Sequence, residues 1–278
     1  MTGRVWPAPA KLNLFLRVVG RRADGYHLLE TLFQFLDYGD ELTFAVTDDG
    51  EIARSDDVPG IPHDMDLTVR AARLLQASTG CRLGARIGLR KRIPAGGGLG
   101  GGSSDAATVL IALNELWGTG LDRPALAALG LQLGADVPVF VHGHAAFAEG
   151  VGEVLTPADP PEPWYLVIVP PVQVSTALVF AEYARERRLT PPTMARTIRG
   201  LPTGRGNDLE AIVRRRYPDV ERAFQWLAAH GEPRMTGSGG CVYVEVSDAA
   251  AGERLLGERP AGFGGFVARG MNRHPLAE

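Results

Sequence analysis

The chain has 278 residues, 45% of them hydrophobic and 22% charged, with a net charge of −3. That length suits two domains rather than one core, and the composition is that of a globular protein. The near-neutral charge gives no general attraction to nucleic acid or to an anionic membrane, and no apolar run approaches the ~20 residues of a membrane span. The two cysteines, Cys81 and Cys241, lack metal-ligand spacing, and Pro7, Pro9, Lys11 and Asn13 interrupt any signal-like N-terminal run. A reduced, cytoplasmic protein is the simplest reading. Of 29 basic residues 27 are arginine, so the two lysines, Lys11 and Lys91, stand out. A position that keeps Lys in such a chain points to a need for a compact ammonium rather than a planar fork.

Residues 6–19 alternate, with Leu12, Leu14, Leu16 and Val18 on one face and Lys11, Asn13, Phe15 and Arg17 on the other. Period two predicts a strand. Its polar face is either the solvated side of an edge strand or a functional surface. Ala23-Asp24-Gly25 predicts a turn. Tyr26 and His27 after it are either a packed aromatic beside a surface His or a pair able to stack on and read a nucleobase. Phe33, Phe35 and Leu36 read mostly as core. Residues 40–60 read as a strand and a polar loop, and Leu67–Ser78 as a helix. His63, Asp64 and Asp66 sit in the polar loop and are not read as metal ligands.

Pro94 to Ala107 holds six glycines, then Ser103, Ser104 and Asp105, and leads into an apolar helix. Glycine there supplies φ > 0 and close approach of a ligand to backbone N–H groups. The three polar residues are N-cap types, and a helix mouth carries unpaired donors and positive dipole charge. The pair predicts a phosphate site. It is not a P-loop, since no Gly-Lys pair occurs. Gly96, Gly98 and Gly101 match a dinucleotide fingerprint, but the preceding segment alternates and Pro94 intervenes, which argues against a central parallel strand. Asp122 then caps a helix over Pro124–Leu133. Asp136, in L-G-A-D-V-P-V-F-V, is either a cap or turn residue or a buried functional carboxylate. His142 and His144 have strand spacing without a third ligand and read as structural or surface residues. Residues 157–163 hold four prolines and mark the domain boundary, giving domains 1–156 and 157–278. Tyr165–Val169 predicts a buried strand. The basic runs Arg185–Arg188 and Arg214–Arg216 read as solvated helix faces. Met235–Cys241 is a second glycine turn before the strand Val242–Val246.

P-x-x-x-G-L-G-G-G-S-S resembles the phosphate-binding motif of the GHMP kinases, and M-T-G-S-G-G-C resembles their third motif. P-A-K-L-N-L-F-L followed by R-A-D-G-Y-H-L-L-E-T-L-F-Q-F-L-D resembles one branch of that superfamily, which acts on a cytidine diphosphate-linked methylerythritol. The resemblance implies an α+β fold of two domains: an N-terminal half like ribosomal protein S5 domain 2 and a ferredoxin-like C-terminal half. It implies ATP-dependent phosphorylation of the substrate's 2-hydroxyl in non-mevalonate isoprenoid precursor synthesis, with Mg²⁺ accompanying ATP and its ligands unassigned. Lys11 and Asp136 are the implied catalytic pair. A carboxylate beside an ammonium is a weak base, so Asp136 is expected to orient the hydroxyl and take its proton late. ATP is expected on Lys91, Pro94, Ala95, Gly96, Gly97, Gly98, Leu99, Gly100, Gly101, Gly102, Ser103 and Ser104. The substrate is expected on Asn13, Tyr26, His27, Phe33, Thr176 and Phe180, with Phe180 opposite Tyr26 around the cytidine. Asp66 stands where the branch usually has Asn near the adenosine, so that contact is not carried over. Another small-molecule GHMP kinase, or a non-catalytic nucleotide-binding protein of the same fold, are the alternatives. Oligomeric state is not implied.

Overall fold

The structure, a computed structural model, describes residues 4–55, 62–187 and 206–277. The N-terminal half runs β1 (Trp6–Arg21), β2 (His27–Thr47), β3 (Ile52–Arg54), α1 (Leu67–Thr79), β4 (Gly84–Arg90), α2 (Gly101–Leu116), α3 (Arg123–Leu131), α4 (Val137–His142), β5 (Ala146–Glu149) and β6 (Val154–Pro157). The C-terminal half runs β7 (Trp164–Val169), α5 (Thr176–Glu186), α6 (Glu210–Arg216), α7 (Pro218–Leu227), β8 (Arg234–Met235), β9 (Val242–Val246), α8 (Ala249–Gly257) and β10 (Gly264–Met271).

The first two strands form a long antiparallel pair, with Lys11 opposite Phe35 and Arg21 opposite His27. The expected alternation of β1 does not survive along its length. Register shifts between Pro9 and Lys11, Asn13 and Leu16, and Val18 and Gly20 turn the strand, as bulges do. Leu16, expected opposite Lys11, therefore lines the same cavity as Lys11 and Asn13. The second strand also begins earlier than expected, at His27 rather than near residue 40. It pairs with β1, β4, β5 and β10 along its length, and from Glu30 to Leu36 every residue but Leu32 is buried, so a strand covered on both faces shows no alternation to read. The expected polar loop at its end includes residues 56–61, which lie outside the described residues.

Helix α1 starts where Asp66 accepts from the Thr68 amide, and α3 where Asp122 accepts from the Ala125 amide. Helix α2 departs from expectation. Its N-cap is Gly100, at φ 72°, and no side chain caps it. Ser103, Ser104 and Asp105 lie inside the first turns instead. The reason is steric: the left-handed Gly100 ends the glycine loop within contact of the Lys11 side chain and the Phe140 ring, where a Cβ would sit at 3.0 Å from each. The first N–H groups of α2 are left without a side-chain acceptor.

Strand β3 runs parallel to β4, joined through α1. The C-terminal strands lie in the order β10-β7-β9-β8, all antiparallel. That is the 4-1-3-2 order of a split βαβ unit, the ferredoxin-like arrangement expected. Among the described residues three apolar clusters form the core. One lies under α1, α2 and α4, around Trp6, Phe35, Leu42, Leu113 and Phe140. One lies under α5 to α7, around Val179, Leu209, Phe224 and Leu227. The third, with Leu12, Leu36, Leu99, Tyr165 and Tyr243, takes residues from both halves.

The proline-rich segment after β6 is strapped down. The Pro161 carbonyl accepts from Gln34 Nε2, and the Pro160 carbonyl from Asn272 Nδ2. His142 ends a helix, so the strand spacing read for His142 and His144 does not apply. Among the described residues no group of three His, Cys, Asp or Glu is placed to hold a metal. The second basic run pairs within and between helices: Arg214 with Glu210 of α6 and Glu221 of α7, Arg215 and Arg216 with Glu182 of α5. Arg188 lies outside the described residues.

The Tyr165 hydroxyl donates to Gln34 Oε1 at 2.8 Å, a buried bond joining β7 to β2. Tyr165→Phe leaves that acceptor unpaired and is expected to lower stability by about 1–3 kcal/mol. Urea unfolding should show a lower midpoint at unchanged slope.

Candidate active site

Two glycine turns meet at the centre of the molecule. The loop before α2 packs on the turn between β8 and β9. The Cys241 amide donates to the Gly97 carbonyl at 3.1 Å, and Thr236 Oγ1 donates to the Gly98 carbonyl at 3.2 Å. Gly98 has φ 77°, and a Cβ there would collide with the Thr236 carbonyl oxygen. Glycine at this position is thus required twice over, by conformation and by approach.

The glycine loop is also tied to β1, since the Lys11 amide donates to the Leu99 carbonyl at 3.0 Å. Lys11 is buried, with 3% of its side chain exposed. Its ammonium donates to Asn13 Oδ1 at 2.6 Å, lies 3.1 Å from Asp136 Oδ2, and sits 5.2 Å from the centre of the Phe33 ring. Asn13 is held in turn. Its Nδ2 donates to Thr31 Oγ1, and its backbone N–H donates to Thr236 Oγ1 at 3.0 Å. The Asn13 amide is therefore engaged within the protein and fixes Lys11. Asp136 occupies the N-cap position of α4 but makes no capping hydrogen bond. Its carboxylate faces Lys11, so the cap alternative does not account for it.

Two cavities flank the glycine loop. The larger, about 720 Å³, is lined by Lys11, Asn13, Tyr26, His27, Phe33, Asp136, Thr176 and Phe180, among others. The smaller, about 320 Å³, is lined by Met65, Asp66, Lys91, the whole stretch Pro94–Gly102, and Asp105. Gly96, Gly98 and Gly100 belong to both. The loop is thus the partition between them. Ser103 and Ser104 line neither cavity. Ser104 is buried, and its hydroxyl has no hydrogen-bond partner.

The larger cavity carries a ring stack, though not the one expected. His27 lies on Phe180, with centroids 4.9 Å apart and planes at 29°. Tyr26 is 64% exposed. The turn explains this: Asp24 Oδ1 accepts from the Tyr26 amide and holds it on the outside. Burial and the nearby Arg21 charge lower the His27 pKa, so its ring is neutral and lies flat on an apolar face. Thr176 and Phe180 sit one turn apart on α5, and the Thr176 hydroxyl is 2.6 Å from Ser238 of the second glycine turn.

In the smaller cavity Lys91 sits between two acids, at 2.5 Å from Asp40 Oδ2 and 2.8 Å from Asp105 Oδ2. Two buried carboxylates share one ammonium. Burial is the larger cause that pushes Asp105 up, to about 7, against the pull of Lys91. Asp66 caps α1 and pairs with Arg54 at 2.7 Å. The sequence reading missed Asp40, Asp105, Thr31 and Ser238 as parts of these sites. Asp40 lies 51 positions from Lys91, and only the pairing of β2 with β4 brings them together. Ser238 did carry a signal, since it lies inside the second glycine turn.

An acid whose folded pKa is raised binds more protons folded than unfolded over the interval between the two values. Stability then falls as pH rises from about 4 to 7. Asp105→Asn removes this, so the stability of the variant relative to the parent should improve from about pH 4 to 7 and level off above. Chemical unfolding at a series of pH values tests it, and a constant difference would contradict the shared-ammonium arrangement.

The sequence profile of the GHMP kinases N terminal domain matches residues 66–144, and that of the GHMP kinases C terminal matches residues 194–263. A 4-diphosphocytidyl-2-C-methyl-D-erythritol kinase of Pseudomonas syringae pv. syringae (strain B728a) is 57% identical over 269 residues, covering 96% of this chain and 94% of the relative. A protein of the same name from Alkalilimnicola ehrlichii is also 57% identical, over 96% of this chain and 91% of its own length. A crystal structure of 4-(cytidine 5'-diphospho)-2C-methyl-D-erythritol kinase superposes with a TM-score of 0.79 at 34% identity, covering 96% of this chain and 99% of that one. A mevalonate kinase shares the fold, with a TM-score of 0.70 at 17% identity. With two glycine turns meeting at a buried Lys–Asp pair and this identity over nearly its whole length, the chain belongs to the GHMP kinases, within the 4-diphosphocytidyl-2-C-methyl-D-erythritol kinase family.

Proposed function

We propose that the chain transfers the γ-phosphoryl group of ATP to the 2-hydroxyl of 4-diphosphocytidyl-2-C-methyl-D-erythritol. The observation that carries this reading is the Lys11–Asp136 pair on one side of a glycine partition shared by two cavities. ATP takes the smaller cavity, with Lys91 beside the base and its phosphates along Pro94–Gly102 and the mouth of α2. The uncapped N–H groups there supply donors for phosphate oxygens. Ser103 contributes through its backbone N–H in the first turn of that helix, whereas Ser104 is buried and its amide donates to the Gly100 carbonyl. The cytidine diphosphate substrate takes the larger cavity, its cytidine among Tyr26, His27, Thr176 and Phe180 and its reacting end towards Lys11, Asn13 and Phe33.

The hydroxyl oxygen forms the new bond to phosphorus as the bond to the β-phosphate oxygen of ATP breaks, giving ADP. The hydroxyl proton passes to Asp136, late, because the transition state is loose. Lys11 holds Asp136 in place and neutralises charge on the transferring group. Its own position is set by Asn13 and by the wall of Phe33.

Mg²⁺ is part of the proposal. The donor set suits an ion that arrives on ATP: among the described residues there is no cage of three His, Cys, Asp or Glu, and Mg²⁺ characteristically binds through one or two carboxylates with phosphate oxygens and water. Asp136 is engaged with Lys11, so no protein ligand is assigned to the ion, which would neutralise phosphate charge.

The division at residue 157 belongs to the same reading, supported by the two profile matches lying on either side of it. A cytoplasmic setting is supported by the two free cysteines, Cys81 and Cys241. Among the described residues no helix is long and apolar enough to cross a membrane.

Coupled ATP consumption with the cytidine substrate, with mevalonate and homoserine as controls, tests the assignment. Turnover of the cytidine substrate alone is expected, and turnover of a control instead would overturn it. Asp136→Asn is expected to retain ATP binding and lose about 10²–10⁴ in kcat. Parent-rate turnover by that variant would remove Asp136 from the chemistry.

A further inference from the structure

Arg21 is the last residue of β1 and lies directly across from His27, the first of β2. It lines the larger cavity. Its Nε donates to the Gly25 carbonyl at 3.2 Å, and a methyl on Gly25 would lie 3.6 Å from one of its terminal nitrogens. The guanidinium is therefore laid along the turn that carries Tyr26 and His27. The other ionic groups of this cavity are paired: Lys11 with Asp136 at 3.1 Å, and Asp24 with Arg22 at 2.8 Å. Among the described residues Arg21 alone of the cavity's charged side chains has no carboxylate within ion-pair distance. The cavity thus carries one uncompensated positive charge beside its ring stack.

We propose that Arg21 binds the diphosphate of the acceptor substrate. The inference rests on the cytidine reading above and deepens it. A planar guanidinium fixed through its Nε keeps two terminal nitrogens for the paired oxygens of a phosphate, a geometry that an ammonium does not offer. Its neighbour His27 does not compete for the anion, since Arg21 and burial together keep that ring neutral. Base and diphosphate are then held by adjacent residues on the two sides of one turn. The far end of the substrate is left to Lys11 and Asp136.

The test is calorimetric titration of CDP and of cytidine into the parent, Arg21→Gln and Arg21→Lys. Gln keeps a donor for the Gly25 carbonyl but loses the charge. Arg21→Gln is expected to weaken CDP about tenfold and to leave cytidine within about twofold. Arg21→Lys should recover part of the loss. In turnover, the KM for the cytidine substrate should rise by a similar factor, with kcat and the KM for ATP held within about twofold. Equal weakening of cytidine and CDP would overturn the proposal, because it would mean that Arg21 acts through the turn or the base. Unchanged CDP affinity would overturn it as well. If the parent binds neither ligand, the cytidine reading itself falls and this inference falls with it.

Discussion

The contact of the two glycine turns is the constraint on which the rest depends. The phosphate loop belongs to the N-terminal half and the opposing turn to the C-terminal half, yet they share hydrogen bonds from Cys241 and Thr236 to the carbonyls of Gly97 and Gly98. Gly240 lies so close to Gly96 that a Cβ on it would come within 2.8 Å of the Gly96 carbonyl oxygen. Neither loop keeps its shape without the other. The same Thr236 hydroxyl accepts from the Asn13 backbone N–H, and Asn13 holds Lys11. The chain of contacts therefore runs from the ferredoxin-like sheet, through a loop of backbone, to the Lys11 ammonium. Pre-organisation of that kind is what phosphoryl transfer asks of a protein, since positioning and charge do nearly all the work.

The two lysines show how differently one residue type can be used. Lys11 faces one carboxylate and one amide oxygen, so its charge is balanced but not exhausted, and its carboxylate partner is one-third exposed to the larger cavity. Lys91 faces two buried carboxylates and is over-balanced. An ammonium with two acids within hydrogen-bond distance is not available to attract phosphates from a distance. On the proposed reading, phosphate binding in the smaller cavity therefore falls to backbone N–H groups and the dipole of α2. This explains why six glycines are spent on this loop. Lys91 instead clamps the start of α2 to β2, because Asp105 lies on the helix and Asp40 on the strand. Breaking such a pair leaves a buried charge alone, which costs far more than the pair contributes.

Most of the site was legible in the sequence because its parts are local. The glycine loop, the second turn, Asp136 before a helix and the Asp-Gly turn each announce themselves within a few residues. So did Lys11 and Lys91, as the two lysines among 29 basic residues, and they line opposite sides of the partition. What the sequence did not show was set by pairing across the sheet. The bulges of β1 moved Leu16 to the face of Lys11. The early start of β2 was hidden because a strand covered on both faces has no period. The helix cap was misread for a physical reason too: Ser103 and Ser104 have the right chemistry for a cap, but the left-handed Gly100 had already begun the helix. A capped helix would have used up the donors that this site keeps open.

Asp66 shows how a departure from the family pattern can be absorbed locally. Where the branch usually has Asn, this chain has an acid on the wall of the smaller cavity. A lone carboxylate there would repel phosphates. Its two oxygens are instead fully occupied, one by the Thr68 amide and hydroxyl, the other by Arg54 at 2.7 Å. Both side chains of the pair are buried, at 3% and 6% exposure. The charge is neutralised where it arises, and the oxygen that caps α1 does the work either residue type can do. The substitution is therefore a change in how a helix start is held.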